Sequence, residues 1–236
     1  MLGGIFSGKK LNLEVDIHSH LLPGIDDGVK SFDEAIEILQ SFQSFGYRKI
    51  ITTPHIYPEV YPNTPEIIRE KFAVLQKKAR SYGLSLELDY AAEYFMDQHF
   101  LTAVKSGDEI LSFGEGHVLV ETPFYTKPMI FDEVMFELKA RGFKPVFAHP
   151  ERYQYLEKDL SWLRSLHQQD IKLQVNLPSL EGAYGEAPRK IAKKLINESL
   201  VSFFGSDIHR AEQLGLLRRA TQQKISKNTS QNNELP

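Results

Sequence analysis

No cysteine occurs anywhere in this chain of 236 residues. That removes disulfides, thiolate metal sites and any mechanism built on a cysteine nucleophile. No apolar run approaches the roughly 20 residues that cross a bilayer, so no membrane insertion is expected. Neither type of glycine-rich phosphate loop used for nucleotides is present. An excess of one charge is missing too. The 28 Lys and Arg face 31 Asp and Glu for a net charge of −3, and the basic residues are scattered, so there is no nucleic-acid footprint. The leading "MLGGIFSGKK" sets its apolar part before its lysines and is too short for a signal peptide. With 42% hydrophobic residues, the expectation is a soluble globular protein, cytoplasmic by default.

Seven short runs read as buried strands: "LEVDI" (13–17), "KIITT" (49–53), "SLELDYA" (85–91), "HVLVE" (117–121), "KPVFA" (144–148), "KLQVN" (172–176) and "VSFFG" (201–205). They recur roughly every 30 residues, the length of a strand–helix–strand unit. Ser31 and Glu34 form a capping box opening a helix that Gly46 ends, and Thr64-Pro65 opens another that Gly83 stops. Helical periodicity also covers 130–141, 157–169, 186–199 and 209–224. Seven β-then-α units with no break in composition predict one domain over residues 1–220, a closed or nearly closed parallel (β/α)7 barrel, with an open doubly wound sheet as the alternative. The polar residues 221–236 read as a disordered tail.

On that map the stretch "DIHSHLLPGIDDG" (16–28) is the densest in chemistry. His18 and His20 follow the first strand, two apart in extended chain, so both point the same way. Asp26 and Asp27 lie in the same loop. His55 follows the second strand, Glu93 the third and His149 the fifth, while Glu121 closes the fourth and Asp207 and His209 follow the seventh. In a parallel barrel these ends share one rim, where the βα loops build the active site. Five of the eight histidines would meet at least four carboxylates there. Imidazole and carboxylate donors without sulfur suit manganese, zinc or iron rather than calcium or a structural zinc. So many ligands imply two or three ions, with Glu93 or Asp207 bridging. His99, His117 and His167 fall in a helix, at a strand start and in a helix, and are expected to have no such role.

As a set, "DIHSH…DDG", "TPH", "AAE", "ET", "AHPERY", "QVN" and "GSDIH" resemble the polymerase-and-histidinol-phosphatase (PHP) superfamily. Within it they resemble the bacterial tyrosine-protein phosphatases of capsule and exopolysaccharide operons, over about residues 13 to 210. The resemblance implies a distorted (β/α)7 barrel and a trinuclear centre at the strand C-termini, usually of manganese, with iron, zinc or magnesium as alternatives. His18 and His20 would share one ion with Glu93 and Asp207. Glu93 would bridge to a second ion held by Glu121 and His149, and the third would take Asp27, His55 and His209. Arg152 would grip the phosphate with its guanidinium fork, and Arg152, Asp207 and His209 are the candidate catalytic residues.

The implied reaction is in-line attack of a metal-bridging hydroxide on phosphotyrosine, carried by the C-terminal tyrosine cluster of a bacterial tyrosine autokinase. The rivals are a small-molecule phosphomonoesterase, such as one for histidinol phosphate, and an inactive PHP module that only binds. Oligomerisation is left open. One departure stands out: where relatives often carry a second histidine after "TPH", this chain has Ile56, which puts a leaving-group role there in doubt. Tyr57, Tyr61, Phe124, Tyr125 and Tyr153 are candidate walls for a phenyl ring. Asn176, Asp16 and Glu151 are candidates for orienting ligands.

Overall fold

The computed structural model describes residues 9–10, 12–157, 159–225 and 230–236; most of the leading segment discussed above lies outside them. In chain order it contains β1 (Lys9–Lys10), β2 (Val15–Asp16), α1 (Phe32–Phe45), β3 (Lys49–Thr52), β4 (His55–Ile56) and α2 (Pro65–Ser81). There follow β5 (Glu87–Tyr90), β6 (Glu93–Phe95), α3 (Gln98–Ser106), β7 (His117–Glu121), α4 (Phe131–Ala140) and β8 (Lys144–Phe147). The last are α5 (Ser161–Gln168), β9 (Lys172–Asn176), α6 (Glu186–Asn197), β10 (Phe203–Gly205), α7 (Leu214–Thr221) and β11 (Lys224–Ile225).

Six strands pair in the order β10-β9-β8-β7-β6-β4 and three in the order β2-β3-β5, every ladder parallel. β3 and β4 are halves of one run, parted at Thr53–Pro54, where proline has no N–H to give a ladder. β5 and β6 are likewise parted at Ala91–Ala92. Ala91 N donates to Thr52 O (2.9 Å) and Glu93 N to Pro54 O (3.1 Å), so the halves stay in step across the break. At the far side Ser19 bridges Ile208 in parallel, and Asp207 N donates to His18 O (2.8 Å). The result is an α/β fold with a curled parallel sheet whose first and last runs touch at the C-terminal rim.

Local chemistry sets the helix ends. Ser31 Oγ accepts from Glu34 N (3.1 Å) while Glu34 Oε2 accepts from Lys30 N (2.9 Å), and Gly46 ends α1 in the left-handed region at φ 97°. Thr64 caps α2, with Pro65 in its first turn. Two expected helices are shorter than their periodicity. Over 157–169 the helix begins only at Ser161, whose N–H and hydroxyl are both held by Asp159, after single 3-10 turns at Pro150–Arg152 and Gln154–Leu156. Over 209–224 a 3-10 turn at Ala211–Gln213 precedes α7. Val15, Ile17, Ile51, Leu119, Val146, Ala148 and Phe203 fill the inside of the curl; a larger apolar cluster lies between strands and helices.

The reading of 221–236 as a disordered tail is corrected. β11 pairs antiparallel with β1, and residues 230–236 run across the N-terminal end of the curl; residues 226–229 lie outside the described set. Leu235 is buried in the inner core. Asn232, fully buried, stands between the first and last runs: Nδ2 donates to Val15 O (2.9 Å) and Phe204 O (2.7 Å), and Oδ1 accepts from Phe204 N (2.8 Å). One side chain thus completes a ladder that β2 and β10 do not make directly. Asn232→Ala would strand three backbone groups, a loss of roughly 2–4 kcal/mol. A thermal melt should show the midpoint lowered by roughly 5–10 °C; an unchanged midpoint would mean that this bridge contributes nothing.

Candidate metal centre

The strand C-termini bring all nine candidate ligands into one cluster. His18, His20 and Glu93 are fully buried, Asp207, His149, His55 and Glu121 nearly so, and Asp27 and His209 lie on the open side. Two backbone features aim these side chains. His149 (φ 31°) and Asp207 (φ 50°) sit in the left-handed region, a cost of about 1 kcal/mol or more each that a packed surrounding must offset. At Gly205 a Cβ would stand 2.6 Å from His18 Cβ, and at Gly28 2.4 Å from His20 O. Only glycine lets the chain pass so close to the histidine loop.

Glu93 occupies the centre. Its Oε2 lies 3.1 Å from His18 Nε2, 3.5 Å from His20 Nε2 and 3.2 Å from His55 Nδ1, and its Oε1 lies 3.0 Å from His149 Nε2. Four sets of donor atoms converge closely: His20, Asp27, His55 and His209; His18, Glu93 and His149; His18, His20 and Asp207; and His55, Glu93 and Glu121. Asp27, His55 and His209 fall together as the resemblance implies, and His20 joins them. Glu93 is shared between the groups holding His149 and Glu121.

Burial alone pushes the Glu93 and Asp207 carboxyls up, but the imidazoles around them outweigh it and hold both well below the usual carboxylate range. Burial acts the other way on His55, yet Glu93 and Glu121 raise it to about 10. The donor set fits cations. His18 Nε2 and His20 Nε2 face each other at 3.3 Å. Buried His55 Nδ1 sits 3.1 Å from Glu121 Oε1 with no aligned hydrogen bond, and buried His149 Nδ1 has no hydrogen-bond partner among the described residues. Imidazole nitrogens and carboxylate oxygens packed this closely, with two ring nitrogens face to face, are what divalent ions satisfy.

Around the cluster, further side chains fix ring orientation. Asp26, rather than its neighbour Asp27, holds His20 Nδ1 (2.8 Å) and also accepts from Gly28 N (2.9 Å). Gln174 Oε1 lies 3.0 Å from His18 Nδ1, Gln174 Nε2 donates to Asn176 Oδ1 (2.8 Å), and Asn176 Nδ2 donates to Asp207 Oδ2 (2.6 Å). Sequence reading passed over Gln174; its one signal is a polar residue inside an apolar strand run. Asp16 and Glu151 act on backbone instead of ligand rings. Asp16 holds the Ser206 N–H and hydroxyl, and Glu151 holds Asn176 N and the Ser179 hydroxyl.

Above the cluster opens a cleft of about 320 Å³. Arg152 lies in its wall between two rings, 4.3 Å from the Tyr184 centroid and 4.8 Å from that of Phe124, with Nη1 donating to Asp207 Oδ2 (2.8 Å). Tyr184 is a second residue sequence reading missed. Tyr57, stacked on Phe95 at 4.1 Å, and Tyr61, stacked on His55 at 5.3 Å, form the opposite side. Two expected walls are not walls: Tyr125 points to solvent, and Tyr153 is wholly buried with its hydroxyl accepting from Thr122 N. Ile56 faces away from the cleft, towards Tyr94 and Ile110 beneath α2 and α3, so residue 56 is not placed to serve the cleft. His99 and His167 are exposed on helices, and His117 lies at the start of β7; none joins the cluster.

Three comparisons bear on this arrangement. The family model described as "Capsular polysaccharide synthesis, CpsB/CapC" matches residues 14–233. The chain is 33% identical over 196 residues to a putative tyrosine-protein phosphatase CapC of Staphylococcus aureus, covering 83% of this chain and 76% of that one. It is 28% identical over 214 residues to the tyrosine-protein phosphatase YwqE of Bacillus subtilis, covering 84% and 78%. A solved structure from work on YwqE of Bacillus subtilis and CpsB of Streptococcus pneumoniae, described as unique metal-dependent tyrosine phosphatases, superposes with a TM-score of 0.80 at 28% identity, over 88% of this chain and 84% of that one.

Proposed function

The chain belongs to the CpsB/CapC family of capsular polysaccharide synthesis, and on that premise we propose that it is a metal-dependent phosphotyrosine-protein phosphatase. The observation that carries this reading is Glu93 at the centre of a cluster of histidines and carboxylates that opens directly on the Arg152 cleft. His18, His20, Asp27, His55, Glu93, Glu121, His149, Asp207 and His209 hold the ions, three of manganese in this proposal. When bound, such ions neutralise phosphate charge and generate a nucleophile from water near neutral pH. The rest falls to the protein. Arg152, held between Phe124 and Tyr184, turns its free N–H groups to the phosphoryl oxygens. Asp207, held by Asn176 and Arg152, keeps its other oxygen towards His18 and His20. The Tyr57–Phe95 pair and Tyr61 hold the phenyl ring, and phenolate departs without a strong acid. Cysteine chemistry has no residue to use.

The finer reading of the fold is seven β/α units in a distorted barrel, formed as one domain that takes in residues 230–236 at the N-terminal end of its strands. The partner in this proposal is a cytoplasmic tyrosine autokinase that offers phosphotyrosines on a flexible tail, which a cleft at the open rim admits without unfolding anything. No helix among the described residues is long and apolar enough to cross a membrane. Kinetics on phosphotyrosine peptide, phosphoserine peptide and histidinol phosphate, side by side, test the substrate class. The cluster lies at the bottom of the cleft, where a phenyl spacer carries phosphate and a serine methylene does not. The expected kcat/KM for phosphotyrosine is about 100-fold or more above either rival; preference for histidinol phosphate would move the chain to the small-molecule class.

A further inference from the structure

A second cleft, of about 760 Å³, lies between α4 and α5, lined in part by Met135, Phe136, Trp162 and Ile171. It takes no part in the chemistry above, yet Phe136 on its edge is 68% exposed, and Met129, in the turn two residues before α4, is wholly exposed. Large apolar side chains grouped in this way mark a surface that meets something. We propose that it meets a second copy of this chain, with α4 packed antiparallel against its counterpart about a twofold axis beside Phe136.

The argument is charge complementarity of one helix face with itself. Asp132 and Lys139 both border the cleft and stand seven residues apart, two helical turns, so they lie on one face. Their midpoint falls between Met135 and Phe136. Reversing α4 about that point sets Asp132 opposite Lys139 of the partner subunit, and symmetry makes the pair twice. Phe136 of each copy then enters the cleft of the other, against Trp162. Parallel packing would instead set like charges together. Both charges are free to turn outward. Asp132 is 78% exposed and only loosely paired with Lys127 (3.4 Å), and Lys139 Nζ donates to Gln169 O (2.8 Å) with two further N–H groups to spare. A contact of one helix and one cleft per copy is small, so the dimer is a weak one.

Sedimentation equilibrium of the full chain from about 1 to 200 µM tests this, with p-nitrophenyl phosphate turnover as the check that each variant is folded. The wild type is expected to dimerise in that range. Asp132→Lys and Lys139→Asp should each weaken the dimer about tenfold or more, and the two together should restore it to within about threefold. Phe136→Lys should leave an active monomer. A wild type monomeric throughout, a dimer indifferent to both single swaps, or a double swap that fails to restore it would each overturn the proposal, including the case in which the cleft takes a peptide instead.

Discussion

Glu93→Ala is expected to lower turnover by about 1,000-fold or more and to strip the chain of most of its metal. Its two oxygens lie 3.0–3.5 Å from nitrogens of four candidate ligands, His18, His20, His55 and His149. Removing it takes away the two oxygens at the centre of the proposed metal site and one of its four carboxylate charges. The four imidazoles are then left facing a void, so the loss spreads over more than one ion. His99→Ala and His167→Ala, on exposed helix surface, should stay within about twofold of wild type in the same assay. Elemental analysis beside steady-state kinetics reads both effects. A Glu93→Ala protein with full metal content and full activity would remove the centre from the account.

Arg152→Ala should separate phosphate binding from metal binding. Its Nη1 pairs with Asp207 Oδ2, but Asn176 Nδ2 grips the same oxygen at 2.6 Å, so Asp207 keeps its orientation when the arginine goes. Metal content is therefore expected to stay at the wild-type level while kcat/KM falls about 100- to 1,000-fold, the scale of losing one preorganised charge on a phosphoryl oxygen. Arg152→Lys should recover little, because an ammonium neither forks nor stacks between two rings. Tyr184→Ala should give part of the same loss. Tyr184→Phe should stay near wild type, because it keeps the ring that Arg152 packs on and gives up only a 3.4 Å contact to Asn176. Loss of metal in Arg152→Ala would show that the residue holds the cluster together instead of gripping phosphate.

Much of this fold is written in local signals. Ser31, Gly46, Thr64 and Pro65 mark helix ends because capping is decided within one turn of chain. The strand runs are legible because a parallel sheet buried on both faces needs continuous apolar sequence. The gathering of His18, His55, Glu93, His149 and Asp207 follows in turn, since strands that run parallel finish at one rim. What sequence reading missed depends on partners far away in the chain. Asn232 sits in "SQNNELP", whose polarity reads as solvated tail; its partners at Val15 and Phe204 make it core. Gln174 looks like a flaw in an apolar run until His18 is found against it. Tyr184 has no local signature at all, because its value lies in the guanidinium it covers. Periodicity also overran the helix at 157–169, where Asp159 captures the Ser161 N–H and hydroxyl and sets a later start.

The most direct test of the central claim is a metal titration of stripped protein, read as hydrolysis of a phosphotyrosine peptide. Chelated protein, shown by elemental analysis to be free of transition ions, should have no turnover, and manganese should restore it as occupancy rises towards two or three ions per chain. Full turnover by the stripped protein, in excess chelator and with no ion retained, would contradict the account.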